Sequence, residues 1–388
     1  MTVRTSTPDI AVLGGGIIGL AIAYEATRRG QRPLVIERAA VGQSGAAWAA
    51  AGMLAPAAEA ESEDRALVEL ALESCRLYPE FVSTVEADSE MDCGYRTEGS
   101  LLVAVNRDHR EELERLASLQ RGLGLDVAWL DAGQVLCQEP TLSPRVVGAL
   151  FVEGDRQVDP RRLVRALRTA VERRGGQIVE FADVTGLETN DGKVEGVSYT
   201  VAGERVSASV ACVVAAAGVW TNGLPLDAVH VLTLRPVKGQ ILRLRGAPII
   251  RHVVRTPDVY LVPRADGELV VGATSEEMGF DARPTAGAAL ELLREAARVL
   301  PGIVELELAE QTVGFRPALR DNLPAIGPAA TSGLFLATGH YRHGVMLAPI
   351  TARLVLDCID SGSVPPLIAP FQPSRLGQQP ILKGVASL

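Results

Sequence analysis

Near the C-terminus, residues 338–349 read TGHYRHGVMLAP, straight after the apolar run GLFLA and into an apolar helical pattern. A packing connection needs only a turn and a cap. This one crowds His340, Tyr341, Arg342 and His343 between Gly339 and Gly344, ahead of Val345 and Met346. A glycine-flanked turn into a helix presents backbone N–H groups and a positive helix end, which suit a ring that gathers negative charge on reduction. Arg316 ends the strand-like run QTVGF before a proline, and Tyr260 lies in the strand-like run DVYLVPR. An arginine fixes a carboxylate through two parallel N–H donors, as a lysine cannot, and a tyrosine hydroxyl adds a third donor. Taken singly, each arginine also reads as a salt bridge, and the loop also reads as a structural turn. His340 and His343 have no carboxylate or cysteine at ligand spacing, so no metal is expected. No G-x-S-x-G elbow supports a serine hydrolase.

The elements that must position these residues begin at the N-terminus. A short apolar run, IAVL, enters Gly14-Gly15-Gly16-Ile17-Ile18-Gly19, and a helical pattern leaves it, ending at Arg28-Arg29-Gly30. A second apolar run, PLVIE, closes on Glu37. This is a βαβ unit, which implies a parallel sheet. In G-x-G-x-x-G, Gly14 permits the tight turn. Gly16 lets backbone amides approach a pyrophosphate at the helix N-terminus, and Gly19 lets helix and strand pack closely. Glu37 stands about 20 positions beyond Gly16, where a ribose hydroxyl acceptor is expected. The fingerprint does not separate FAD from NAD. The small-residue stretch SGAAWAAAGM (44–53) and the 338–349 loop supply the second set of backbone donors that a buried isoalloxazine needs, which favours FAD.

Further along, residues 59–86 read as an acidic helix, and Asp159-Pro160 as an N-cap followed by proline at the first helical position. QIVEFADVTGLET and ERVSASVACVVAAAG each read as a strand. Strands dominate 231–314, with a DGE hairpin turn at 266–268 and one helix near 285–300. The αβ character of the start returns at 145–220 and after 330. The fold class expected is therefore α/β (α+β overall), with a Rossmann-like domain assembled from discontinuous segments and a β-rich domain inserted into it.

The 388 residues exceed what one core organises, so two domains are expected. A net charge of −9 gives no overall pull toward nucleic acid. No apolar run reaches the ~18 residues of a membrane span, and MTVRTSTPD lacks a signal-peptide layout. Both points favour the cytoplasm. Five dispersed cysteines without C-x-x-C fit reduced thiols.

At this point several segments coincide with a known family. GGGIIGLAIAYE, AAAGML, VDP, AAAGVWTN, RPVKGQ, YLVPR with GELVVGAT, GFRP and GHYRHGVMLAP run in order along the chain. The chain resembles the FAD-dependent amine and D-amino-acid oxidases, and within them the glycine-oxidase subgroup of thiamine biosynthesis. The resemblance implies an FAD-binding domain from 1–88, 146–230 and 312–372. It implies an antiparallel-sheet substrate domain from 89–145 and 231–311, with 373–388 as a flexible tail. It implies that Ile17 and Ile18 hold the pyrophosphate with the glycines, and that Glu37 and Arg38 hold the adenosine side. Ser44, Gly45, Ala46, Ala51, Gly52 and Met53 then pass near the pyrophosphate and flavin. Val184 contacts the adenine region, Gly218 belongs to the cofactor site, and the 340–346 segment (His340, Tyr341, Arg342, His343, Gly344, Val345, Met346) lines the isoalloxazine.

On the same resemblance Arg316 is the main carboxylate clamp, Tyr260 its hydroxyl partner, and Arg342 sits beside substrate and ring. The implied activity is oxidative deamination of glycine, sarcosine or small D-amino acids by hydride transfer to FAD. Oxygen reoxidises the flavin, giving imine or glyoxylate, ammonia and hydrogen peroxide. FAD is expected to be non-covalent, because the loop before the last helix has no cysteine. A homo-oligomer (tetramer or dimer) and association with thiazole synthase are also implied. The family's better-known bacterial members carry histidine where Asp258 stands and methionine where Ser275 stands. Two alternatives share the fold, a quinone-linked D-amino-acid dehydrogenase and a non-catalytic flavin-binding module.

Overall fold

A computed structural model describes residues 7–56, 65–122, 124–226 and 232–377. Its first layer is a six-stranded sheet in the order Ala325–Pro328, Leu334–Thr338, Val213–Ala215, Ile10–Leu13, Pro33–Ile36, Gln177–Val179. All pairs are parallel except the one at the Ala325–Pro328 edge. The strands Ile10–Leu13, Pro33–Ile36 and Val213–Ala215 are apolar at every position because both faces are covered. Ile10, Val12 and Val35 point to one face and pack under four helices, Ile17–Arg28, Arg65–Ser89, Pro160–Arg173 and Ala348–Ser361. Ala11, Leu13, Leu34 and Ile36 point to the other and pack on Val194, Val197 and Tyr199 of a three-stranded meander. The strand period of two thus divides one short run between two cores.

Several expected elements form as read. Asp159 accepts from the backbone N–H of Arg161 at 2.8 Å and of Arg162 at 3.2 Å, with Pro160 at the first helical position. Strands Tyr260–Pro263 and Glu268–Gly272 pair antiparallel around the DGE turn. Of the acidic helix expected over 59–86, positions 59–64 lie outside the described residues, and the helix described is Arg65–Ser89.

Others differ. QIVEFADVTGLET breaks at Phe181, whose φ of 56° turns the chain from the parallel sheet into the meander. ERVSASVACVVAAAG likewise divides into Glu204–Ser209 of the meander and Val213–Ala215 of the parallel sheet. Pro373–Gly377, expected within a flexible tail, forms a 3-10 turn held by an Arg375–Asp321 ion pair at 2.9 Å. Residues 378–388 lie outside the described residues.

The second sheet has eight strands, ordered Glu307–Ala318, Arg235–Arg245, Glu268–Gly272, Tyr260–Pro263, Val253–Arg255, Ser100–Ala104, Gly148–Val152, Ala128–Asp131. Only Val253–Arg255 with Ser100–Ala104 is parallel. Gly148–Val152 falls within the segment assigned to FAD binding, yet it is hydrogen-bonded into this sheet. Glu307–Ala318 likewise crosses the expected boundary at 311/312 as one continuous strand. One face of the sheet buries Leu242, Leu244, Leu261 and Val271 against helix Ala286–Val299. The other face looks toward the parallel sheet. No single helix among the described residues is long and apolar enough to cross a membrane.

Candidate active site

A cavity of about 840 Å³ lies where the C-terminal ends of the parallel strands meet the inner face of the eight-stranded sheet. Gly14, with φ of 114°, makes the turn after the first strand; a Cβ there would stand 2.7 Å from the Ala216 carbonyl oxygen. A Cβ on Gly19 would come within 1.9 Å of the Gly14 oxygen. Gly19 is the one expected cofactor residue that does not line the cavity, because its work is to let the helix close on the turn. Gly16 caps the helix N-terminus with no side-chain partner and has no atom within 4 Å of the Cβ position. Ile17 and Ile18 follow it on the cavity wall. An open helix end with a bare glycine is a cradle for an anion.

Glu37 lines the cavity beside it, accepting from Gly15 N–H at 2.6 Å and Ala39 N–H at 2.9 Å. Arg38 lies over the Trp220 ring, 5.2 Å from its centroid. Val184 contributes from the meander, and Gly218, with φ of 56°, from the turn after Val213–Ala215.

Ser44, Gly45, Ala46, Ala51, Gly52 and Met53 line the cavity along one side. They are held by groups that spacing did not reveal. The Arg161 guanidinium donates to the Trp48 carbonyl at 2.9 Å, lies 3.6 Å from that ring's centroid and grips both Glu310 carboxylate oxygens at 2.8 Å. Arg161 holds the Glu310 carboxyl down to about 2. Buried Arg264 donates to the Ala51 carbonyl at 2.5 Å. A Cβ on Gly52 would lie 2.0 Å from the Val158 oxygen, so only glycine fits there.

The 340–346 segment closes the end of the cavity, with Tyr341 at φ of 47°. Helix Arg65–Ser89 holds its carbonyls, with Tyr78 OH donating to Val345 O at 2.6 Å and Ser74 OH to Met346 O at 2.6 Å. Arg342 stands at the cavity edge, its guanidinium 5.0 Å from the Tyr341 ring centroid. His343 and Gly344 line the wall, and His340 is buried with Nε2 3.1 Å from Thr351 Oγ1.

Burial, with His343 as a second cause, holds the His340 imidazole down to about 3. The folded protein keeps it neutral, whereas an unfolded imidazole titrates near 6.5. Between those values the unfolded chain binds the extra proton. Stability therefore falls as pH drops through that window and is untouched above it, with a slope of about 1.4 kcal/mol per pH unit. Denaturant midpoints of a His340→Gln variant should vary less with pH there than those of the native chain. Parallel curves would remove His340 from this role.

Opposite lies the inner sheet face. Register puts Tyr260, Gly272, Ile241, Gly239, Gly314 and Arg316 on it, because directly paired residues share a face. Three of them are glycines, and each gap is filled. A Cβ on Gly272 would stand 2.4 Å from the Tyr260 hydroxyl oxygen, and one on Gly239 2.5 Å from Arg316 Nη1. One on Gly314 would stand 2.6 Å from the Ala49 Cβ. The Tyr260 hydroxyl and the Arg316 guanidinium therefore lie over neighbouring strands, which are ~4.8 Å apart. Arg316 Nη1 donates to Thr274 O at 3.1 Å and Lys238 O at 3.4 Å, which anchors the guanidinium.

Nothing in the residue types marked the three glycines as seats for these side chains. Only pairing across strands reveals it. No cluster of His, Cys, Asp or Glu among the described residues is placed to hold a metal.

A family profile described as FAD dependent oxidoreductase matches residues 9–358. The chain belongs to this family, DAO. Glycine oxidase of Geobacillus kaustophilus is 34% identical over 95% of this chain and 97% of its own length. A solved structure of glycine oxidase from that organism superposes with a TM-score of 0.86, covering 95% of this chain and 98% of the other. A "Bifunctional protein ThiO/ThiG" of Trichormus variabilis is 37% identical over 96% of this chain, which spans 56% of that longer protein. A hydrogen cyanide synthase subunit, HcnC, of Pseudomonas aeruginosa is 29% identical over 98% of this chain and 99% of its own.

The DAO oxidoreductases use FAD, and the residues present here fit it. The bare Gly16 amide end suits a pyrophosphate. The cavity runs unbroken from Glu37 to the 340–346 loop, so one elongated cofactor can reach both. The chain is thus an FAD-dependent oxidoreductase with a Rossmann-like nucleotide fold.

Proposed function

We propose that this enzyme oxidises the amine of glycine, and of sarcosine or small D-amino acids, to an imine; from glycine the products are the imine or glyoxylate and ammonia, from sarcosine glyoxylate and methylamine, from a D-amino acid its 2-oxo acid and ammonia, each with hydrogen peroxide from oxygen. The observation that carries the reading is the convergence of the Tyr260 hydroxyl and the anchored Arg316 guanidinium on a glycine-floored face inside the FAD cavity. FAD, when bound, supplies the two-electron acceptor. Arg316 holds the substrate carboxylate through parallel N–H donors, and Tyr260 donates a third hydrogen bond. That grip fixes the substrate's Cα, and orientation with exclusion of water is the protein's main contribution. Arg342, at the cavity edge, closes the site over the substrate. The reading needs no protein base at Cα.

The same reading assigns non-covalent FAD, since the loop before the terminal helix has no cysteine and Cys358 is buried in that helix. It keeps the division into FAD-binding and substrate domains, a cytoplasmic location and a homo-oligomer. The two-part relative named ThiO/ThiG supports supply of the product to thiamine thiazole synthesis.

The test is aerobic incubation of the yellow holoenzyme with glycine, sarcosine and D-alanine. Peroxide should form in equal amounts with ammonia from glycine and D-alanine, and with methylamine from sarcosine. Flavin reduction without peroxide would favour a quinone-linked dehydrogenase, and no reduction by any amine would leave a flavin-binding module.

A further inference from the structure

Strands Arg235–Arg245 and Glu268–Gly272 pair in register as far as Ile241 with Gly272, and the chain pairs again at Lys238 with Glu276. Between those two pairs one strand advances three residues and the other four, so residues 273–275 hold a bulge. Within it the Gln240 N–H donates to the Thr274 hydroxyl at 2.9 Å, where a regular ladder offers a carbonyl. The Thr274 carbonyl accepts instead from Arg316 Nη1 at 3.1 Å. The bulge thus aims a backbone acceptor at the guanidinium assigned to the substrate carboxylate.

Glu276 locks that bulge. Its Oε1 accepts from the Thr274 hydroxyl at 2.5 Å and from Gln240 Nε2 at 2.8 Å. The Thr274 hydroxyl has one proton, and Glu276 takes it, while Gln240 occupies an acceptor position. Glu276 Oε2 lies 3.8 Å from Nζ of Lys238, a side chain only 1% exposed that also donates to Arg283 O at 2.8 Å. Gln240 is buried in turn, its Oε1 accepting at 2.9 Å from the N–H of Thr285, the N-cap of helix Ala286–Val299. The peptide that anchors Arg316 is therefore tied to a strand and a helix. Thr274 lines the cavity, but Glu276 does not, so Glu276 reaches the substrate only through its neighbours.

We propose that Glu276 is a positioning residue for carboxylate recognition, acting through Thr274 on Arg316. This rests on the reading of Arg316 as the carboxylate clamp and deepens it. By fixing the Thr274 carbonyl, Glu276 sets the guanidinium in place before substrate arrives, which lowers the ordering cost of binding.

The experiment measures KM and kcat for glycine on the holoenzyme, and the dissociation constant of acetate, a carboxylate without an amine, read by flavin absorbance. Glu276→Ala, Glu276→Gln and Thr274→Val are compared in the native chain and beside Arg316→Ala. In the native chain Glu276→Ala and Thr274→Val should raise KM and the acetate constant together, about three- to tenfold, with kcat near native, as coupling within one hydrogen-bonded network implies. Glu276→Gln, which keeps an oxygen for the Thr274 hydroxyl, should recover most of the loss. With Arg316 already alanine, neither change should weaken acetate further. Equal weakening in both backgrounds, or none in either, overturns the proposal. Should Glu276→Ala fail to fold, Thr274→Val carries the same comparison. If Arg316→Ala leaves acetate binding unchanged, the clamp reading fails and takes this inference with it. If Arg316→Ala weakens acetate and the other variants do not, this inference alone falls.

Discussion

Replacing Arg316 with alanine should raise the KM for glycine about ten- to a hundredfold, since a charge-assisted hydrogen-bonded contact contributes about 1.5–3 kcal/mol. The guanidinium is half-buried and its Nη1 is anchored on two backbone carbonyls, so the geometry is set before substrate arrives. A companion change tests the position and not merely the charge. In Gly239→Ala the new methyl would stand 2.5 Å from Nη1 and 2.7 Å from Cζ. These atoms end a flexible side chain, so the arginine moves and the strand does not. Gly239→Ala should therefore fold normally, raise KM and leave FAD affinity unchanged. An unaltered KM in both variants would remove Arg316 from substrate binding.

The second large effect concerns the fingerprint. Gly19→Ala should lose FAD and fall in stability by at least about 2 kcal/mol, as overpacking against rigid atoms implies. Its Cβ would meet a backbone oxygen at 1.9 Å, and no rotamer relieves that clash. Gly16→Ala is the contrast, since nothing in the protein lies within 4 Å of its Cβ. The apoprotein should keep its denaturant midpoint while FAD binds more weakly. If both variants lost stability alike, the separation of a packing glycine from a cradle glycine would fail. Denaturant titration of apoprotein beside FAD titration reads the two effects independently.

Local order along the chain made much of this legible. The fingerprint is contiguous, and its strand, turn and helix follow from neighbours in sequence. So do the Asp159 cap and the DGE hairpin. The 338–349 loop announced itself because its polar crowding exceeds what a turn needs. Strand boundaries were less legible where one apolar run serves two sheets. Phe181 is an ordinary β-former, and only its turn into the meander shows where the parallel strand stops. Gly148–Val152 reads like any αβ segment, and it is its pairing with Ser100–Ala104, across two intervening helices and a strand, that draws it into this sheet.

What the sequence determined by itself was the nucleotide-binding half and the presence of side chains whose chemistry suits a carboxylate, because each depends on residue type and short-range spacing. What only tertiary structure decided was that Tyr260 and Arg316, more than fifty residues apart in sequence, rest on glycines of adjoining strands. It also decided that Arg161 and Arg264 hold the 44–53 segment. Side-chain direction in a sheet is set by register with partner strands, and register is a property of the folded pairing that no local pattern carries.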